Sequence, residues 1–228
     1  MSRVTARRGS SPPDPPAPTR APAGLAGCRL CPRLAAFRDD IKGRYPEYVC
    51  RPVPLFGDQS ARLVIVGLAP GLHGANATGR PFTGDYAGIL LYETLYRLGL
   101  GSSAQSVSAD DGLMLAGVRI TNAVKCVPPA NRPTAAEIRT CAPYLNAELA
   151  ALPEGGVIIA LGRVAHEAVL RAFGARLASH RFAHGARHGV AGRVVWDSYH
   201  CSRYNTQTRR LTAMMFEAVV EAAVREVP

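Results

Sequence analysis

Lysine is almost missing from this chain: of 27 Lys and Arg residues, only Lys42 and Lys125 are lysines. Chemistry that needs a free amine, such as Schiff-base formation, therefore has two candidates at most. No apolar run approaches 18 residues, which argues against a membrane-spanning helix. No apolar segment follows Arg7 and Arg8, so a secretory signal is not expected. The glycine-rich stretch contains neither Gly-Lys-Ser/Thr nor G-x-G-x-x-G, which argues against a P-loop and the dinucleotide fingerprint. There is no internal repeat.

What remains is a 228-residue, 47% hydrophobic chain, enough for one globular domain with a sizeable core. Its net charge is +10, almost all of it from arginine, whose planar fork matches phosphate geometry. The first 24 residues hold Arg3, Arg7, Arg8 and Arg20 against Asp14, leaving +7 on the rest. The folded part is thus basic in its own right, which favours a polyanionic partner such as nucleic acid. Six cysteines without a secretory signal fit a reducing, cytoplasmic setting, where metal binding is favoured over disulfides. Four of them fall into two groups: Cys28 and Cys31, then Cys126 and Cys141. Four thiolates suit tetrahedral zinc or an iron–sulfur cluster, and spacing does not choose between them. Cys50 and Cys201 are left over, with Cys50 read as a packing residue.

Residues 1–24 are Pro/Ala/Ser-rich and are expected to be a disordered basic tail, with a single domain over 25–228. Four apolar runs read as buried strands: 62–68, 117–124, 156–162 and 193–200. Helices are expected through 34–41, over 85–100, after the capping box at Thr134 and Glu137, through 164–173 and over about 206–226. Residues 101–112 read as a surface loop, and the basic, histidine-rich stretch 176–193 as another, either facing DNA or simply solvated. The alternation implies a three-layer α/β/α fold around a central, mainly parallel four-stranded sheet.

Sites in such sheets collect outside the carboxyl ends of the strands, and three segments fall there. The first, GLAPGLHGANATGRPFTGD, carries Gly71, Phe82 and Asp85, with glycines that let backbone N–H groups approach a ligand. Asp85 also stands where it would N-cap the next helix. The second, TNAVKCVPP, places the Asn122 amide at a strand end, where it could read a donor–acceptor pair or simply cap a turn. The third, SYHCSRYNT, presents His200, Ser202, Arg203 and Asn205.

These three segments, with the four cysteines, closely resemble the uracil-DNA glycosylase superfamily, best the iron–sulfur family 5 enzymes, over roughly residues 25–220. The resemblance implies a [4Fe–4S] cluster on Cys28, Cys31, Cys126 and Cys141, acting as scaffold, with zinc as the lesser option. It implies that Phe82 stacks on a base, Asn122 reads its edge, and backbone N–H groups near Gly71 line the pocket. It also implies that His200 stabilises the departing base and Asp85 serves as general base or as partner of the sugar cation. Ala69 stands where the best-known glycosylase family has its water-activating acid, so that role is vacant here. Ser202, Arg203 and Asn205 belong to the implied DNA-entering loop, where Cys201 replaces the family's usual proline. The expected partner is DNA, with the damaged base flipped from a duplex or met in a single strand. The expected protein is a monofunctional, monomeric, nucleoid-associated repair enzyme. Two rivals stand beside this reading: a zinc-held, non-catalytic DNA-binding module and a nucleotide-binding iron–sulfur redox protein.

Overall fold

The computed structural model describes residues 24–228; the Pro-rich tail, but for Gly24, lies outside the described residues. The strands are β1 (Phe56–Gly57), β2 (Leu63–Gly67), β3 (Val118–Asn122), β4 (Val157–Leu161), β5 (Arg187–Val190) and β6 (Arg193–Ser198). They form one sheet in the order β1-β3-β2-β4-β6-β5. The four expected strands are the parallel centre, β3-β2-β4-β6. Two antiparallel edge strands were not anticipated: β1 on β3 and β5 on β6, so the sheet has six strands rather than four. β1 is only two residues long, and β5 (Arg-His-Gly-Val) carries little apolar character, so neither leaves a period-2 signal.

Among the described residues the seven α-helices are α1 (Pro32–Arg44), α2 (Ala75–Thr78), α3 (Tyr86–Arg97), α4 (Ala135–Ala150), α5 (Arg163–Ala172), α6 (Arg203–Gln207) and α7 (Ala213–Arg225). The last expected helix is thus two, because Ser202 caps a short first helix and Thr212 caps α7 with a bond from the Met215 N–H. The capping box at α4 is complete: the Thr134 hydroxyl accepts from the Glu137 N–H at 3.2 Å, and the Glu137 carboxylate from the Thr134 N–H at 2.7 Å.

Strand alternation sorts the core into two layers. Leu63, Ile65, Ile120 and Ile159 face α3 and α7, whose Leu91, Leu95, Phe216 and Val220 cover them. Val64, Val66, Ile158 and Ala160 face the opposite way, against Leu145, Leu149, Val169 and Leu170 of α4 and α5. Each such fully buried Leu or Ile is worth about 1.5–3 kcal/mol, so the sheet is rigid where its loops begin. No helix among the described residues is long and apolar enough to cross a membrane.

Candidate functional site

The carboxyl ends of β2, β3, β4 and β6 open into one pocket of about 570 Å³. All three segments singled out in the sequence contribute: Ala69, Gly71, Phe82 and Asp85 from the first, Asn122 from the second with Asn131 just beyond it, and His200, Ser202 and Arg203 from the third. Sequence reasoning missed the fourth contributor, Leu161–Gly162–Arg163–Val164 after β4, which carries no residue type tied to a reaction.

Phe82 is 5% exposed and has φ +60°, a left-handed backbone that costs a non-glycine residue about 1–3 kcal/mol. Its neighbours hold it there, since the Tyr92 hydroxyl donates to the Pro81 carbonyl at 2.6 Å from within the core. The Phe82 and His200 rings lie nearly parallel, 25° apart with centroids at 6.0 Å. Gly67 lets this happen, because a Cβ there would overlap both the Phe82 ring and the Asn122 side chain. The Asn122 Oδ1 is buried with no hydrogen-bond partner, as is the His200 Nδ1. Unpaired buried polar atoms are costly, so two of them in one pocket mark a place for a polar ligand.

Asp85 occupies the N-cap position of α3 but makes no side-chain cap bond. Its carboxylate turns into the glycine-rich loop instead, accepting from the Ala75 N–H at 3.1 Å. It packs so closely on Gly71 that a Cβ there would collide with it. Burial raises its pKa, opposed in part by the backbone N–H groups of Ala75 and Gly71. Burial alone pushes the His200 imidazole down to about 4, so the ring is neutral at physiological pH.

The loop after His200 is braced from within. The Asn205 side chain donates to the His200 carbonyl at 2.8 Å, and Ser202 caps α6. Arg203 and Tyr204 are exposed at the pocket mouth, with the Arg203 guanidinium 5.5 Å from the Tyr86 ring centroid. Cys201 is fully buried beneath them, and Cys50 is buried against Ile41 and Val127.

Cys28, Cys31, Cys126 and Cys141 line a single cavity on the other side of the 122–127 turn. The Lys125 N–H donates to the Cys141 sulfur at 3.3 Å, and burial pushes the Cys126 and Cys141 thiols up to about 12 and about 11. Thiols so buried ionise only where a cation stabilises the thiolates, so this donor set fits a metal group. A mononuclear tetrahedral zinc with Zn–S of about 2.3 Å would draw four sulfurs to about 3.8 Å from one another. Among the described residues, the one His/Cys/Asp/Glu group with three ligand atoms mutually within 4.8 Å is His166, His188 and Asp197; no three of the four sulfurs meet that limit. Arg33 forks onto Glu137 through two 2.7 Å bonds, so α1 and α4 are joined beside the cysteines without any metal.

Lys125 is itself fully buried, its ammonium 2.6 Å from the Glu148 carboxylate. Lys42 donates to the Pro46 and Tyr48 carbonyls, and neither lysine lines the pocket.

The histidine-rich stretch differs from the loop expected over 176–193. It contains β5, and one of its three histidines, His188, turns inward and meets Asp197, which is 0% exposed and also faces His166 of α5. His166 Nδ1 lies 2.7 Å from one Asp197 oxygen, and His188 Nε2 lies 2.9 Å from the other. Arg187 is paired with Glu226, and Arg193 donates to the Leu152 carbonyl.

The sequence model of the uracil DNA glycosylase superfamily matches residues 54–224. A type-5 uracil-DNA glycosylase of Thermus thermophilus is 51% identical over 207 residues, covering 88% of this chain and 94% of the relative. One from Pyrobaculum aerophilum is 45% identical over 206 residues, covering 89% and 90%. A type-4 uracil-DNA glycosylase from the same organism is 39% identical over a shorter stretch, 57% of this chain and 59% of the relative.

Proposed function

This chain belongs to the uracil-DNA glycosylase superfamily, and from that membership and the pocket we infer a DNA repair hydrolase that excises uracil by cleaving the N-glycosidic bond. The observation that carries the reading is the pair of unpartnered polar atoms, on Asn122 and His200, that share one pocket with the Phe82 ring. A uracil ring needs an aromatic face, an amide for its N3–H and O4 edge, and a donor for O2. In our reading Phe82, Asn122 and His200 supply them in that order.

We further propose that the base reaches the pocket by flipping out of a duplex or directly from a single strand, since a stacked base is inaccessible. As the glycosidic bond lengthens, negative charge builds on the base and positive charge on the sugar. A neutral His200 donating to O2 steadies the first, and a carboxylate at Asp85 steadies the second and takes the proton of the attacking water. The product is free base and an abasic site. Both lysines are engaged elsewhere, Lys125 in a buried ion pair, which supports a monofunctional enzyme without lyase chemistry. Arg203, at the mouth, is placed for backbone phosphates; Ser202 and Asn205 act by shaping the loop that carries it. We expect activity on other deaminated bases as well, and a monomer located with the nucleoid.

The cysteines would hold a [4Fe–4S] cluster, an assignment supported by four cysteines gathered on one buried cavity. Its contribution would be structural, tying α1 to the turn that follows Asn122. Purified protein should be brown with absorbance near 400 nm; a colourless protein carrying stoichiometric zinc would overturn the cluster.

The decisive assay is incubation with uracil-containing oligonucleotides followed by alkali. Strand breaks at uracil are expected, and their absence from both single- and double-stranded substrates would overturn the proposed activity.

A further inference from the structure

A second concavity of about 580 Å³ lies against the base pocket and shares two of its walls, Asp85 and Tyr86. Its far side is built by Ile89 of α3 and by Gln105 and Val107 of the loop after that helix. Ile89 is 63% exposed, Val107 65% and Tyr86 43%, so three large apolar side chains stand unpartnered around one hollow. Scattered apolar surface residues are ordinary, but several gathered on one concave wall mark a binding surface.

The hollow is rigid. Arg80, 4% exposed, donates to the Ser106 hydroxyl and to Asp111, each at 2.6 Å. Asp111 in turn accepts from the Val107 N–H at 2.8 Å, and the Thr83 and Ser106 hydroxyls are 2.6 Å apart. The loop expected to be a plain surface connection is thereby locked to the segment that carries Phe82 and Asp85.

We propose that this concavity holds the base of the nucleotide next to the excised one on the same strand, a reading that rests on the uracil glycosylase assignment above. The chemistry separates base from phosphate. The hollow's lining holds no Lys, Arg or His, and its one charged wall is the Asp85 carboxylate, so a phosphate is repelled. Apolar walls with the Gln105 amide and the Tyr86 and Ser106 hydroxyls suit the faces and edge of a base. Between the two hollows stands the Tyr86 ring with Arg203 over it, so a cation sits on the ridge that the linking phosphodiester would cross. Tyr86 and Val107 thus become positioning residues for the strand, outside the reacting bond.

The test uses single-stranded oligonucleotides with one uracil, in which the base immediately 5′ or immediately 3′ of it is replaced by an abasic tetrahydrofuran. For the wild-type protein, removing the neighbour on one side should raise the half-saturating concentration for uracil release at least about fivefold, with little effect on the other side. In Val107→Asp, and independently in Ile89→Glu, that penalty should fall below about twofold, because the hollow no longer accepts a base. Both substitutions are at exposed positions, so the fold is expected to persist, and circular dichroism checks it. The proposal is overturned if neither neighbour matters to the wild type, or if both variants keep the full penalty. Those outcomes leave uracil release itself intact. Failure to release uracil from any of the oligonucleotides would instead overturn the parent assignment, and this subsite with it.

Discussion

Replacing His200 by alanine, or Asp85 by asparagine, is expected to slow single-turnover uracil release by about 10²–10⁴-fold while DNA affinity changes little. The loss should appear in the chemical step, because both groups act on charge that exists only as the bond breaks. In the proposed mechanism His200 meets the base as a neutral donor; burial holds its pKa near 4, and its Nδ1 has no hydrogen-bond partner. Asp85 must be ionised to act, and burial raises its pKa, so the rate should fall on the acid side as the carboxylate takes up a proton. The descent should begin at a higher pH than an exposed aspartate would give, and Asp85→Asn should flatten it. A rate within about twofold of wild type in either variant would remove that residue from the mechanism.

His166→Leu is expected to destabilise the fold by about 3–5 kcal/mol, the range seen when one partner of a buried ionic pair is deleted. In a chain of this size that corresponds to a melting temperature lower by about 6–20 °C. The reason is Asp197, which is fully buried and faces His166 and His188 through its two oxygens. His166 also directs Nε2 at the His180 carbonyl, at 2.9 Å. A carbonyl can only accept, so Nε2 carries a proton, and the hydrogen on the Nδ1 side is shared with Asp197. Burial by itself lowers the His166 pKa; the Asp197 hydrogen bond and charge outweigh it, and the net shift is upward. A raised folded pKa makes the stabilisation complete below the unfolded value, about 6.5, and drains it as pH rises through the folded value. The gap between wild type and variant in urea unfolding should therefore be widest under mildly acidic conditions and shrink towards alkaline pH. A gap below about 1 kcal/mol throughout would contradict this account. Activity per folded molecule should survive, since none of these groups lines the pocket.

Much of this was legible in the chain because the parallel strands are buried on both faces and leave unbroken apolar runs, such as Val157–Leu161. The three segments at the sheet edge could be placed for the same reason, since each begins where such a run stops. What stayed hidden depends on contacts between residues far apart in sequence. Asp85 looks like a helix cap until the glycine loop folds over it and offers the Ala75 N–H instead. His188 reads as part of a basic loop until β5 pairs with β6 and turns it towards Asp197. Lys125 reads as an ordinary cation, yet Glu148, 23 residues away on α4, draws it fully inside. Tyr86 carries no signature at all; only its position between two hollows gives it a part.

The left-handed backbone at Phe82 has a bearing on how heat and turnover are related in this protein. If Phe82 stacks on the base as proposed, an arriving base meets a ring already set by the fold and need not organise it. The same order costs the folded chain about 1–3 kcal/mol at this one residue. Selection for a tougher fold would relax this residue, while selection for faster excision would keep it bent, so endurance and speed oppose each other at a single pair of dihedral angles.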